Sequence, residues 1–168
     1  ILGANLLRSG RFKQVVVGGT ECLSRFHFNG FRSLMILDGE PCRPFDDTRA
    51  GLNLGEGAAF VVLETAEHAD QRGVEVLAEL SGWGNACDAF HQTASSDDGI
   101  GAILSMRQAL KRAALQPADI DYVNAHGTGT PNNDASESAA LHSVFGEKVP
   151  PVSSTKSRTG HTTSASGS

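Results

Sequence analysis

Apolar and polar positions along this chain switch repeatedly between a helical and a strand period, and each switch marks a predicted element. Ile1, Leu2, Leu6 and Leu7 recur at helical spacing, and Gly10 supplies a stop. Residues 14–17 form a β-branched apolar run that Gly18-Gly19 is expected to end. A second run of strand type, residues 58–63, leads into a short helix over 66–72 with Gly73 as its cap. Residues 76–84 read as another strand. Ile100, Ile103, Leu104, Ala109, Leu110 and Ala113 form the apolar stripe of a helix ending before Pro117, and residues 120–123 resume as a strand. Asp134 fits an N-cap with Glu137 three residues on, opening a helix that buries Ala139, Ala140, Leu141, Val144 and Phe145 and stops at Gly146. Residues 152–154 are the last short strand, and the turn-rich stretch 38–51 is the best linker candidate. Strands alternating with helices predict an α/β sheet.

Composition narrows the function. With 168 residues and 39% hydrophobic content, one core is expected rather than two. A net charge of −5 without a Lys/Arg cluster argues against nucleic acid, because phosphate contacts need a local cationic surface. Cys22, Cys42 and Cys87 are odd in number and lack C-x-x-C spacing, which speaks against a disulfide framework or a zinc ribbon. A reducing, cytoplasmic setting is expected, with no membrane span in an apolar pattern this short. The chain opens within a helical pattern without a preceding cap, and it closes on small residues, so both ends are expected to be internal to a longer protein.

Chemistry concentrates in two segments that each follow a predicted strand. Asn124-Ala125-His126-Gly127-Thr128-Gly129-Thr130-Pro131 places a histidine where ligands of α/β sheets bind, beyond the carboxyl end of a strand. Ser153-Ser154-Thr155-Lys156-Ser157-Arg158-Thr159-Gly160-His161 repeats that form with a lysine and a second histidine. Two such loops, if they converge, present paired N–H donors to one developing oxyanion. Cys87 and His91 lack a second ligand pair, so no metal is expected. The glycines of residues 51–58 match neither the dinucleotide nor the Walker spacing, which leaves a tight glycine turn.

Taken together, Arg43-Pro44-Phe45-Asp46, Gly55-Glu56-Gly57-Ala58, Asn124-Ala125-His126-Gly127-Thr128, Ser154-Thr155-Lys156-Ser157 and Gly160-His161 resemble the elongating, two-histidine class of β-ketoacyl-[acyl-carrier-protein] synthases. The resemblance implies a thiolase-like fold, layered α/β/α/β/α, with residues 1–168 holding the end of the first half and most of the second. It implies a decarboxylative Claisen condensation with malonyl-carrier in fatty-acid or polyketide synthesis. His126 and His161 then bind the malonyl thioester oxygen, Lys156 tunes their charge, and Glu137 pairs with Lys156. Thr93, Thr128 and Thr130 bond the phosphopantetheine arm of the acyl carrier protein, and Phe31 lines the acyl pocket. No other cofactor is implied, and the partners are the carrier and a second ketosynthase subunit in a homodimer or heterodimer. By the same resemblance the nucleophilic cysteine lies upstream of Ile1, so these residues alone are expected to be inactive. The competing expectations are a catalytically silent chain-length subunit and a dimerisation module of the same fold. Asn132-Asn133 and Thr163-Ser164 depart from the family's usual residues.

Overall fold

The computed structural model describes residues 1–167. Helix α1, Leu2–Arg8, ends beside Gly10, whose φ of 71° gives the left-handed turn its composition suggested. Strand β1, Gln14–Glu21, then pairs antiparallel with β2, Gly57–Glu64, from Gln14 opposite Glu64 to Glu21 opposite Gly57. The pairing runs straight through Gly18-Gly19, where the sequence predicted an end. Both glycines are there for close approach: a side chain at Gly18 would strike the Ala59 carbonyl, and one at Gly19 would strike the Ser164 carbonyl.

Helix α2, Arg25–Ser33, lies between these strands in sequence and has Ser24 as its N-cap, the hydroxyl accepting from the His27 N–H at 3.1 Å. Helix α3, Ala66–Arg72, has the predicted bounds, with Thr65 capping its start and Gly73 left-handed at its end. The predicted strand over 76–84 is a correction, because this segment forms no ladder with any described strand. The backbone of residues 82–84 lies instead against helix α4, Ile100–Ala113: Gly82 and Gly84 abut the Ala109 and Ser105 carbonyls, and Arg112 donates to the Trp83 carbonyl at 2.6 Å.

Strands β3, Val123–Asn124, and β4, Val152–Ser153, are parallel neighbours, and both are shorter than predicted. Between them helix α5, Pro131–Phe145, packs on α4. Its N-cap is Thr130, with Pro131 as the first helical residue, so Asp134 lies one turn inside instead of capping. Asp134 is only 2% exposed. It accepts from the backbone N–H groups of Phe45 at 2.7 Å and Gly129 at 3.2 Å, which ties two loops to the helix. Residues 38–51 are accordingly no linker: Cys42 and Leu52 are buried, and Leu37 bridges Leu52. Among the described residues no helix is long and apolar enough to cross a membrane.

Candidate functional site

Parallel pairing of β3 and β4 sends both chemistry-bearing loops out of the same sheet end, because parallel strands share one carboxyl edge. His126 follows β3 and Lys156 follows β4 at the head of the short helix α6, Lys156–Thr159. Gly160, with φ of 69°, turns the chain back, and His161 docks on residues 53–55 through His161 N–H to Asn53 O at 2.7 Å and Gly55 N–H to His161 O at 3.1 Å. The segment read as a glycine turn thus serves as the shelf for the second histidine. The imidazoles of His126 and His161 meet edge to face, their centroids 5.3 Å apart.

Glu137 and Lys156 hold the His126 loop from opposite sides. Glu137 Oε1 and Oε2 accept from the N–H groups of His126 at 2.7 Å and Gly127 at 2.8 Å, while Lys156 Nζ donates to the His126 carbonyl at 2.7 Å. Direct pairing of Glu137 with Lys156 was expected, yet no ion pair within 4.0 Å joins them among the described residues. Each instead satisfies backbone groups of the same turn, where an unpaired N–H costs about 1–3 kcal/mol. Ser154 completes the turn by donating to the Gly127 carbonyl at 2.8 Å.

Lys156 is 5% exposed, and burial lowers its pKa, with Glu137 opposing that shift. Burial also lowers the pKa of His126, aided by the Lys156 charge, although solvent reaches its ring and limits the effect. His161 is pushed down to about 4, by burial first and then by the charges of His126, Lys156 and His27. His161 is therefore a neutral N–H donor at pH 7, and the downward shift of His126 favours its neutral form as well. The unfolded chain takes up the His161 proton near its ordinary 6.5, so the stability this group confers is complete above that pH and is lost as pH falls towards 4. A histidine NMR titration should show the His161 midpoint near 4. A midpoint at or above 6.5 would refute the buried, neutral assignment.

Of the remaining sequence candidates, Phe31 reaches the cluster, its ring 6.2 Å from that of His161 and 5.1 Å from that of His27. Thr128 and Thr130 are buried and share a hydroxyl–hydroxyl hydrogen bond of 2.7 Å. Thr93 is exposed, and its backbone N–H donates to His91 Nδ1 at 3.2 Å. A cleft of about 110 Å³ beside His126 is lined by Asp88, Ser95, Asn133 and Glu137. Asn132 closes one flank by exchanging two hydrogen bonds of 3.1 Å with the Ser95 backbone. Sequence reasoning missed Glu21 and His27 as parts of this region, and it marked Asn132 only as a departure from the family's usual residues. Each is an ordinary polar residue in its local string, and only the packing gives it a partner.

Residues 2–69 match the family described as Beta-ketoacyl synthase, N-terminal domain, and residues 77–168 match Beta-ketoacyl synthase, C-terminal domain. The chain belongs to the β-ketoacyl synthase family. A relative, the mitochondrial 3-oxoacyl-[acyl-carrier-protein] synthase of Arabidopsis thaliana, is 42% identical over 96% of this chain and 38% of its own length. Among solved structures, the ishigamide ketosynthase/chain length factor superposes with a TM-score of 0.94 at 39% identity, covering 98% of this chain and 40% of that one. A type II polyketide synthase acyl-carrier protein in complex with its ketosynthase bound to the hexaketide (AntDE:AntF) gives 0.94 at 33% identity, covering 98% and 43%. The fold is therefore thiolase-like, as these ketosynthases are. The chain spans about two fifths of the length of the β-ketoacyl synthases it matches.

Proposed function

We propose that this chain supplies the paired-histidine half of a condensing enzyme that elongates carrier-bound acyl chains by decarboxylative Claisen condensation. The observation that carries the reading is the 5.3 Å approach of two imidazoles from two loops at one sheet end. When malonyl-carrier loses CO₂, the electrons of the breaking C–C bond move into the thioester carbonyl and its oxygen becomes an enolate. Two N–H donors placed beforehand stabilise that charge without reorganising. The enolate carbon then attacks the thioester carbon of the waiting acyl chain and expels its thiolate.

Lys156 and Glu137 are assigned to holding the His126 loop and setting its charge. Phe31 is assigned to the acyl chain, and Thr93, Thr128 and Thr130 to the phosphopantetheine arm. The neighbour solved with its acyl-carrier protein supports a carrier as partner, and the one described as a ketosynthase/chain length factor supports a paired subunit. No further cofactor enters the scheme. A silent chain-length subunit shares this fold, but the lined-up His126, Lys156 and His161 favour the catalytic reading.

None of the three cysteines suits the role of acyl carrier. Cys42 is buried, donates to the Thr128 carbonyl at 3.1 Å and has its thiol pKa raised by burial, while Cys22 and Cys87 lie exposed outside the histidine pair. The 168-residue chain incubated with malonyl-carrier and acyl-carrier is thus expected to release no β-ketoacyl product by mass spectrometry, whereas the intact protein forms it. Robust product from the chain alone overturns this assignment of the cysteines. Absence of both product and CO₂ release with the intact protein favours the silent subunit.

A further inference from the structure

Glu21, at the end of β1, has no part in the scheme above, yet its carboxylate meets the loop that carries His161. Oε2 accepts from the Thr163 hydroxyl, from the Ser164 hydroxyl at 3.0 Å and from the Ser164 N–H at 3.5 Å; Oε1 accepts from the Cys22 N–H at 3.2 Å. These bonds, led by the one from Thr163, hold the carboxyl pKa at about 2, so Glu21 is charged at any working pH. Gly19 admits the loop to this position, since any side chain there would collide with the Ser164 carbonyl. Thr163 stands at φ of 33°, in the left-handed region that a β-branched residue rarely adopts. Such a conformation persists only where the surroundings over-determine it. Two bonds do so: the hydroxyl to Glu21, and the Thr163 N–H to His161 Nδ1 at 3.2 Å.

The second bond decides the protonation of the ring. A backbone N–H can only donate, so Nδ1 must accept, and the single proton of the neutral imidazole sits on Nε2. Ser166 Oγ, 3.0 Å from Nδ1 and 2.8 Å from the Thr163 carbonyl, adjusts to either tautomer because a hydroxyl rotates. Thr163 therefore carries the decision, and Glu21 carries Thr163.

We propose that Glu21 is a positioning residue for His161: by clamping the Thr163 and Ser164 hydroxyls it keeps the Thr163 N–H on Nδ1 and leaves the Nε2–H free to donate. Its consequence for catalysis rests on the donor role given to His161 above, whereas the clamp itself is geometric.

The test is ring ¹⁵N NMR of His161 in the intact protein, with kcat and KM for malonyl decarboxylation measured alongside. Glu21→Ala is expected to shift part of His161 to the Nδ1–H tautomer and to lower kcat about tenfold with little change in KM, as expected for a misplaced donor. Glu21→Gln keeps one acceptor oxygen and should recover most of the wild-type tautomer. In a Thr163→Gly background, where the positive φ carries no strain, Glu21→Ala should add less than about a twofold effect. An unchanged His161 tautomer in Glu21→Ala, or an equal loss of kcat with and without Thr163→Gly, overturns the clamp. A shifted tautomer with undiminished CO₂ release supports the clamp and instead removes His161 as the enolate donor. A merely structural role would lower Tm in both backgrounds and leave the tautomer in place.

Discussion

In the intact protein, His126→Ala and His161→Ala are each expected to slow malonyl decarboxylation about 10²–10³-fold, the loss found when one oxyanion donor is removed. The two rings sit 5.3 Å apart and serve one charge, so the double variant should fall well short of the product of the single losses. Neither substitution should unfold the site. The His126 loop is held through its backbone by Glu137 and Lys156, and the His161 backbone is held by Asn53 and Gly55. Stopped-flow CO₂ release and far-ultraviolet circular dichroism on the same samples separate the two possibilities. Undiminished release in both well-folded single variants would dismiss the histidine pair as the enolate site.

Asp134→Ala should be the most destabilising single substitution near the site, by roughly 3–5 kcal/mol. Its carboxylate is almost wholly enclosed and accepts from Phe45 N–H, Gly129 N–H and Asn133 Nδ2, with Arg49 Nε at 3.8 Å. Removing it leaves the Phe45 and Gly129 backbone donors without their acceptor, and each orphaned buried group adds its own desolvation cost, while Arg49 keeps the Asp46 and Pro131 carbonyls. Urea unfolding should show a lower midpoint at an unchanged slope. Asp134→Asn keeps one acceptor oxygen but turns an amide N–H towards a donor, so it should fall between wild type and Asp134→Ala. A loss below about 1 kcal/mol in Asp134→Ala would mean that Phe45 and Gly129 find other partners, which contradicts the tie between the two loops.

The same residue marks the boundary of what local pattern can convey. Asp134 three residues before Glu137 carries the string of a capped helix start, and a helix does begin there, but Thr130-Pro131 opens it one turn earlier. Asp134 was then free to serve as an acceptor for Phe45, 89 residues away in sequence. Helix α2 has a weak local pattern for a related reason: His27, Asn29 and Gly30 are weak helix formers, and the Ser24 cap is its main local signal. In β1, the glycines Gly18-Gly19 carry the string of a strand stop, yet the strand runs on through them. Their freedom is spent on close contact with Ala59 and Ser164, not on a turn.

What the sequence determined by itself was the alternation of helix and strand, the bounds of α3, the apolar stripe of α4, and the two post-strand loops bearing His126 and His161. Those features rest on short-range causes: period, capping hydroxyls, left-handed glycines and the fixed order of motifs. Tertiary structure alone decided that residues 82–84 lie on α4, the 76–84 segment pairing with no described strand, and that Glu137 grips the His126 loop instead of Lys156. It alone also placed Glu21 against Thr163, 142 residues on in the chain. A hydrogen bond is satisfied by whichever acceptor packing brings within about 3 Å, and nothing in a local string encodes which distant segment that will be.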